Sequence, residues 1–279
     1  MNPNDKKIKI AILDMNDGFA NQGMRCIQQI VNDWAKVNNH NVQVKTFDVR
    51  QKLEFPGPDH DVFISSGGPG SPLESVDKEW DKKYMQWIDE VNEWNSSFNN
   101  YPKKHVFFIC HSFQLACRHF KIGNVCKRLS TSFGVFPVHM TNEGMDEIVF
   151  KGMPDPFYAV DSRDFQVIEP DCDRINQLGV KVLAIEKERP HVAHLERAVM
   201  AVRFNDYFIG TQFHPEADPN GMTIHLHSEE RKEIVIKNHG EDKWKSMIEQ
   251  LNDPDKILWT HDHILPNFLN IAVEALVEN

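Results

Sequence analysis

The apolar residues of this chain fall into short runs and helical stripes that alternate along its first half. Residues 8–14 form an apolar run of the kind that fills a buried strand. Residues 21–37 then place Met24, Ile27, Ile30, Val31 and Trp34 at helical spacing. Residues 42–49 alternate in the manner of a second strand, and 61–65 read as a third. A glycine- and proline-rich loop, 66–72, follows directly. Residues 77–94 predict a charged amphipathic helix carrying Trp80, Tyr84, Trp87, Ile88 and Val91 on its apolar side. A fourth strand, 104–110, runs without a linker into a helix over 112–120. Strands that alternate with helices predict an α/β fold, a mostly parallel sheet with helices on both faces. Ligands of such sheets sit beyond the carboxyl ends of the strands, where 66–72 and Cys110 both fall.

The second half is richer in strand patterns: 133–140, 147–150, 158–161, 180–186, 198–204 and 207–213. The last two are joined around Asn205-Asp206, a hairpin signal. After Pro219 the pattern turns polar and helical, with helices expected over 225–237, 242–251 and 264–277. The expected organisation is one α/β domain over 1–218, with a helical C-terminal extension over 219–279 packed on it.

Composition narrows the classes. With 279 residues and 41% hydrophobic content the chain can bury a substantial core. Its net charge of -10 argues against general nucleic-acid binding, which needs a basic surface, and against an anionic membrane. Residues 1–7 are polar and no apolar signal-peptide core follows them, and no run is long enough to span a bilayer. Five cysteines, at 26, 110, 117, 126 and 172, are scattered and odd in number. That is neither a disulfide framework nor a zinc site, and a reducing cytoplasm is the expected home. His225-x-His227 and His261-x-His263 have two-apart spacing but no acidic or cysteine ligand beside them, so no metal site is expected.

Three segments carry chemistry. In Phe107-Phe108-Ile109-Cys110-His111-Ser112-Phe113-Gln114 an apolar strand meets a polar residue and then a helix. That is the layout of a nucleophile elbow, which exposes a nucleophile on a sharp turn. The helix start favours a thiolate and offers N–H groups to a developing oxyanion. Residues 209–216 end a strand with His214-Pro215-Glu216. Residues two apart in an extended chain face one side, so Glu216 can hold the His214 ring while its other nitrogen faces Cys110. In Ser66-Gly67-Gly68-Pro69-Gly70-Ser71 the glycines permit close backbone approach at a strand end.

Together, over roughly residues 8–218, the three segments resemble the class I glutamine amidotransferase family. Its members carry a Gly-Gly-Pro loop, a cysteine elbow followed by Gln, and a His-Pro-Glu strand end, in this order. Phe133-Gly134-Val135-Phe136-Pro137-Val138 is similar to the family's Gly-x-x-Pro-Val strand. The resemblance implies a flavodoxin-like three-layer sandwich and hydrolysis of the glutamine side-chain amide. It implies a catalytic triad of Cys110, His214 and Glu216, with the Gly68 and His111 N–H groups as the oxyanion hole and Gln114 in substrate binding. It implies no cofactor. Any ammonia acceptor would lie on a synthase partner; a second copy of the chain is a further candidate partner. Where the family elbow reads Gly-x-Cys-x-Gly, this chain has Phe108 and Ser112. Glutamine hydrolysis by the isolated chain is expected to be weak, because closure of such sites is commonly tied to acceptor binding; a bulky Phe108 beside the elbow, displacing the oxyanion donors, is an added reason.

Three other readings stand beside this one. The elbow, the strand end, Ser162-Arg163 and the tail 258–270 resemble the homoserine O-acyltransferases of the same superfamily. There Arg163 would bind the substrate carboxylate; its plain alternative is a surface salt bridge. Residues 14–18 lack the lysine that family uses near the oxyanion. Cys110-His111 resembles the superfamily's cysteine peptidases and chaperones, which need no His-Pro-Glu strand end. A catalytically silent binding module on the same scaffold is the third.

Overall fold

The computed structural model describes residues 7–277 apart from 98, 228–231, 234–235, 238–239, 252 and 254. Its strands are β1 (Ile8–Asp14), β2 (Val42–Asp48), β3 (Val62–Ser65), β4 (His105–Ile109), β5 (Asn124–Met140), β6 (Phe157–Ile168), β7 (Lys181–Glu186), β8 (Val199–Arg203) and β9 (Phe208–Thr211). They form one nine-stranded sheet in the order β2-β1-β3-β4-β9-β8-β7-β5-β6. The pairs from β2 through β9 are parallel, and those from β9 through β6 are antiparallel.

Helices cover both faces. On one side α1 (Gln22–Val37) and α8 (Asp255–Val277) share a core with the strands. Ile27, Ile30 and Val31 meet Ile264, Phe268 and Leu269 there, and Trp34 Nε1 donates to Asn270 Oδ1 at 2.8 Å. On the other side lie α2 (Glu79–Ser96), α3 (His111–Phe120) and α5 (Cys172–Leu178), with Trp80, Tyr84, Trp87, Phe113 and Phe204 in the second core. The helix Asn142–Met145 (α4) is a single turn; α6 (Pro219–His227) and α7 (Glu241–Leu251) follow β9.

The sequence pattern and the structure differ in instructive places. Residues 147–150, expected as a strand, form a 3-10 turn over Ile148–Phe150. The Glu147 carboxylate accepts from the Val149 N–H at 3.1 Å and so caps a turn that the apolar run alone did not indicate. Helix α5 has no fully buried residue and packs on the core only through Ile175 and Leu178, too short a stripe to betray it; it starts on an Asp171 cap and ends at left-handed Gly179. Strand β5 begins well before 133 because its polar start is recruited by pairing with β6, with a register shift between Lys127 and Ser132. Helix α8 begins before 264. The helix expected over 225–237 lies partly outside the described residues; α6 starts earlier, at Pro219.

Among the described residues no helix is long and apolar enough to cross a membrane, and no group of three or more His, Cys, Asp or Glu side chains could hold a metal. His261 contacts Asp262 and His263 contacts the Trp259 carbonyl, so that pair does not converge. The His225 and His227 side chains lie outside the description. All five cysteines are free thiols.

Candidate active site

Strand β4 delivers Cys110 at its carboxyl end, and α3 begins one residue later. Cys110 itself sits at φ 49°, ψ −97°, a left-handed conformation that a non-glycine residue adopts at a cost. The turn is held on both sides: the Cys110 N–H donates to the Thr211 carbonyl at 2.8 Å, and its carbonyl accepts the Gln114 N–H at 3.0 Å. His111 opens α3, so its N–H has no partner within the helix.

The neighbouring strand β9 runs on to His214. Its N–H donates to the Val160 carbonyl on β6 at 2.8 Å, which aims the ring at the elbow. His214 Nδ1 lies 2.8 Å from Glu216 Oε1, and its ring and the Cys110 side chain both stand against Gly67. Burial alone pulls the His214 pKa down. The Cys110 sulfur and the Glu216 carboxylate outweigh it and hold the ring well above its ordinary value. Glu216 is itself buried, and its Oε2 has no hydrogen-bond partner. Helix α1 comes close to it only because residue 23 is glycine: a Cβ there would stand 3.0 Å from Glu216 Oε1.

The loop after β3 closes the third side. A Cβ on Gly67 would lie 2.9 Å from His214 Cε1, and one on Gly68 would lie 2.2 Å from the Met15 carbonyl oxygen. Glycine at these positions is a steric requirement of the site. Cys110, His214, Glu216, Gly68, His111 and Gln114 all line one cavity of about 680 Å³. Residues far apart in sequence thus meet at the carboxyl ends of β3, β4 and β9.

Two predicted residues are more committed to the protein than the sequence indicated. Gln114 Nε2 donates to the Phe165 carbonyl and to Gln212 Oε1, both at 3.2 Å. Arg163 lines the cavity, but its guanidinium bonds Asp161 (2.9 Å) and Glu186 (3.2 Å). These ion pairs are buried, not the surface salt bridge weighed for Arg163. Arg128 and Arg189 reach the same Glu186 carboxylate.

Phe108 is a correction to the expectation of crowding. Its ring faces the core on the α2–α3 side, 5.8 Å from both Phe204 and Phe208, while Cys110 belongs to the core cluster of the other face. The Phe108 ring is thus spent on packing in that core. His111 also packs away from the chemistry: its ring is buried near Trp80, and burial followed by Arg50 and Arg118 pushes its pKa down to about 3.

Sequence reasoning missed Gln212, whose Nε2 donates toward the Cys110 sulfur at 3.7 Å. Alternation held the signal, because 212 and 214 share a side of an extended chain. It also missed the Ser162 carbonyl, which accepts from the Cys110 thiol at 3.8 Å.

Comparison with known proteins bears on this geometry. The family model described as "Glutamine amidotransferase class-I" matches residues 12–234. Among solved structures, a glutamine amidotransferase from Thermotoga maritima is similar at a TM-score of 0.63 and 15% identity, covering 96% of this chain and 98% of its own. A glutamine amidotransferase from Methylobacillus flagellatus is similar at 0.59 and 14%, with 95% of each chain covered. The glutaminase domain of Trypanosoma brucei CTPS, solved with bound acivicin, is similar at 0.55 and 15%, covering 75% of this chain and 86% of that one. At such identities the likeness is one of fold. No curated protein matches the chain significantly.

Proposed function

The chain belongs to the class I glutamine amidotransferase family, and from that premise we propose that it hydrolyses the glutamine side-chain amide through a thioester on Cys110 and passes the ammonia to an acceptor on a partner. The observation that carries this reading is the convergence of Cys110, His214 and Glu216 on one cavity, with His214 Nδ1 2.8 Å from Glu216 Oε1.

His214 takes the Cys110 thiol proton as Sγ attacks the amide carbon, and the Gly68 and His111 N–H groups hold the oxyanion. The proton on the His214 nitrogen facing Cys110 goes to the departing nitrogen, which leaves as ammonia. His214 then takes a proton from water, the resulting hydroxide attacks the thioester carbon, and glutamate departs as Cys110 Sγ leaves and takes the proton back from His214. Glu216 holds the ring and stabilises its charged form. Gln114 and Arg163 form part of the substrate wall, each fixed by its own protein partners. No cofactor enters any step.

Arg163 is paired with Asp161 and Glu186 through Nε and Nη2 while its Nη1 has no partner, so the assays below, and not the ion pairs, separate this reading from acyl transfer to homoserine. The domain proposed over 1–218 carries the chemistry. The segment 219–279 is proposed as an extension on the same body, supported by the α8 residues in the shared core. The deciding experiment is a glutaminase assay beside a homoserine/acyl-CoA transfer assay on one preparation, each with Cys110→Ala as control. Glutamate release that Cys110→Ala abolishes supports the proposal; acyl transfer with glutamine untouched refutes it.

A further inference from the structure

Two buried serines and a tyrosine join the Cys110 elbow to the glycine loop through hydrogen bonds of fixed direction. Ser112 Oγ donates to the Ser66 carbonyl at 2.7 Å. A hydroxyl has one proton, so Ser112 accepts from Ser65 Oγ, 2.8 Å away. Ser65 has then given its proton and accepts from the Tyr84 hydroxyl, also at 2.8 Å. The sequence Tyr84, Ser65, Ser112, Ser66 carbonyl runs one way only, and every member is buried. A second hydroxyl works on the next peptide. Ser66 Oγ accepts the Met15 N–H at 3.0 Å and donates to the Gly67 carbonyl at 2.8 Å.

A trans peptide is planar, with its C=O and N–H pointing opposite ways. Holding the Ser66 carbonyl therefore fixes the direction of the Gly67 N–H, and holding the Gly67 carbonyl fixes that of the Gly68 N–H. Glycine has the freest backbone of any residue and needs an external restraint to keep one orientation. Arg50 restrains the far end of the same loop, with Nη1 2.6 Å from the Pro69 carbonyl and 3.2 Å from that of Met15. Ser112 also replaces a space-making residue with a bond: it is the first-turn residue of α3 whose hydroxyl ties the elbow to the loop.

We propose that Ser66 and Ser112 are positioning residues for the oxyanion-binding peptide: Ser66 sets the Gly67–Gly68 plane, and Ser112 locks that loop to the Cys110 elbow. The inference rests on the thioester reading above. A tetrahedral oxyanion demands a donor in place before the charge develops. A displacement of about 1 Å can cost roughly 10²-fold in rate.

The test compares Ser66→Ala, Ser112→Ala and the hydroxyl-keeping Ser112→Thr with the wild type in three assays. These are glutamine hydrolysis, the acylation burst at Cys110 with p-nitrophenyl acetate, and alkylation of Cys110 by iodoacetamide. Acylation passes through an oxyanion; alkylation at a saturated carbon does not. Ser66→Ala is expected to lower kcat and the ester burst by about 10²-fold with KM changed by less than about threefold. Ser112→Ala is expected to lose about tenfold, and Ser112→Thr to recover most of it. Iodoacetamide should react with all of them at the wild-type rate. An unaltered burst in both alanine variants, or an equal loss in alkylation, overturns the proposal. If the wild type leaves glutamine untouched, the glutaminase reading falls, while a slowed burst in Ser66→Ala still upholds the positioning role. Should Ser66→Ala fail to fold, Ser112→Ala against Ser112→Thr carries the same comparison.

Discussion

Phe108 on β4 faces Gly210 on β9 in direct register, and the aromatic side chain of one strand occupies space that the other leaves open. A Cβ on Gly210 would lie 2.8 Å from the Phe108 carbonyl oxygen and 3.0 Å from its Cβ. The pair predicts a purely structural phenotype for Phe108. Phe108→Ala should cost about 3–5 kcal/mol of stability by cavity formation while leaving the glutaminase kcat of the folded fraction within about threefold. Urea unfolding beside steady-state kinetics measures both. A rise in kcat of tenfold or more on removing the ring would restore the idea that it displaces the oxyanion donors.

Cys110 should be the one cysteine that a glutamine-shaped chloroketone labels quickly. Burial pushes the Cys26 thiol up to about 12 and the Cys117 thiol well above its ordinary value, so neither offers thiolate at neutral pH. Cys172 is exposed, and its thiol donates to the Pro170 carbonyl at 3.8 Å. Peptide mapping after brief labelling tests this; modification of Cys126 or Cys172 at the rate of Cys110 would remove the basis for the site.

The two histidines near the elbow should separate cleanly. His214→Gln removes the proton carrier and is expected to lower turnover by about 10²–10⁴-fold. His111→Gln keeps the backbone N–H and should leave turnover near that of the wild type. Kinetics on both variants decide it, and a dead His111 variant with an active His214 variant would favour the peptidase-type assignment.

Acid should destabilise the fold before its carboxylates titrate. Burial, then Arg203, lowers the His105 pKa to about 4, and burial with Arg50 and Arg118 lowers that of His111 to about 3. The unfolded chain binds protons at these rings near pH 6.5, so between the two values it holds protons that the folded chain excludes. Their contribution is complete above about pH 6.5 and is lost as pH falls toward 4 and then 3, on the order of 3 kcal/mol for His105 and about 5 kcal/mol for His111. His214 runs the other way: its contribution is complete below its ordinary pKa and is lost as pH rises through the raised one. Urea midpoints between pH 7 and 4.5 should fall steadily in the wild type and less in His111→Gln; equal slopes would place the His111 ring in solvent contact.

What the sequence determined by itself was local in character. The apolar run 8–14 and the stripe of α1 needed only their own periodicity, because burial of one face is written in the spacing of side chains. The elbow at Cys110 and the pair His214 and Glu216 were legible for the same reason, since a strand end, a helix start and a two-residue spacing are short-range features. Helix α5 was hidden because it is short and puts only the half-buried Ile175 and Leu178 on the core, with its ends set by the Asp171 and Gly179 caps. Only the tertiary structure decided that Phe108 turns from the site, that Arg163 is tied to Asp161 and Glu186, and that Ser112 reaches the Ser66 carbonyl. Each of those outcomes depends on which strands lie side by side and in what register. A shift of one residue would send Phe108 to the opposite face of the sheet, and that choice is made by packing the whole core at once.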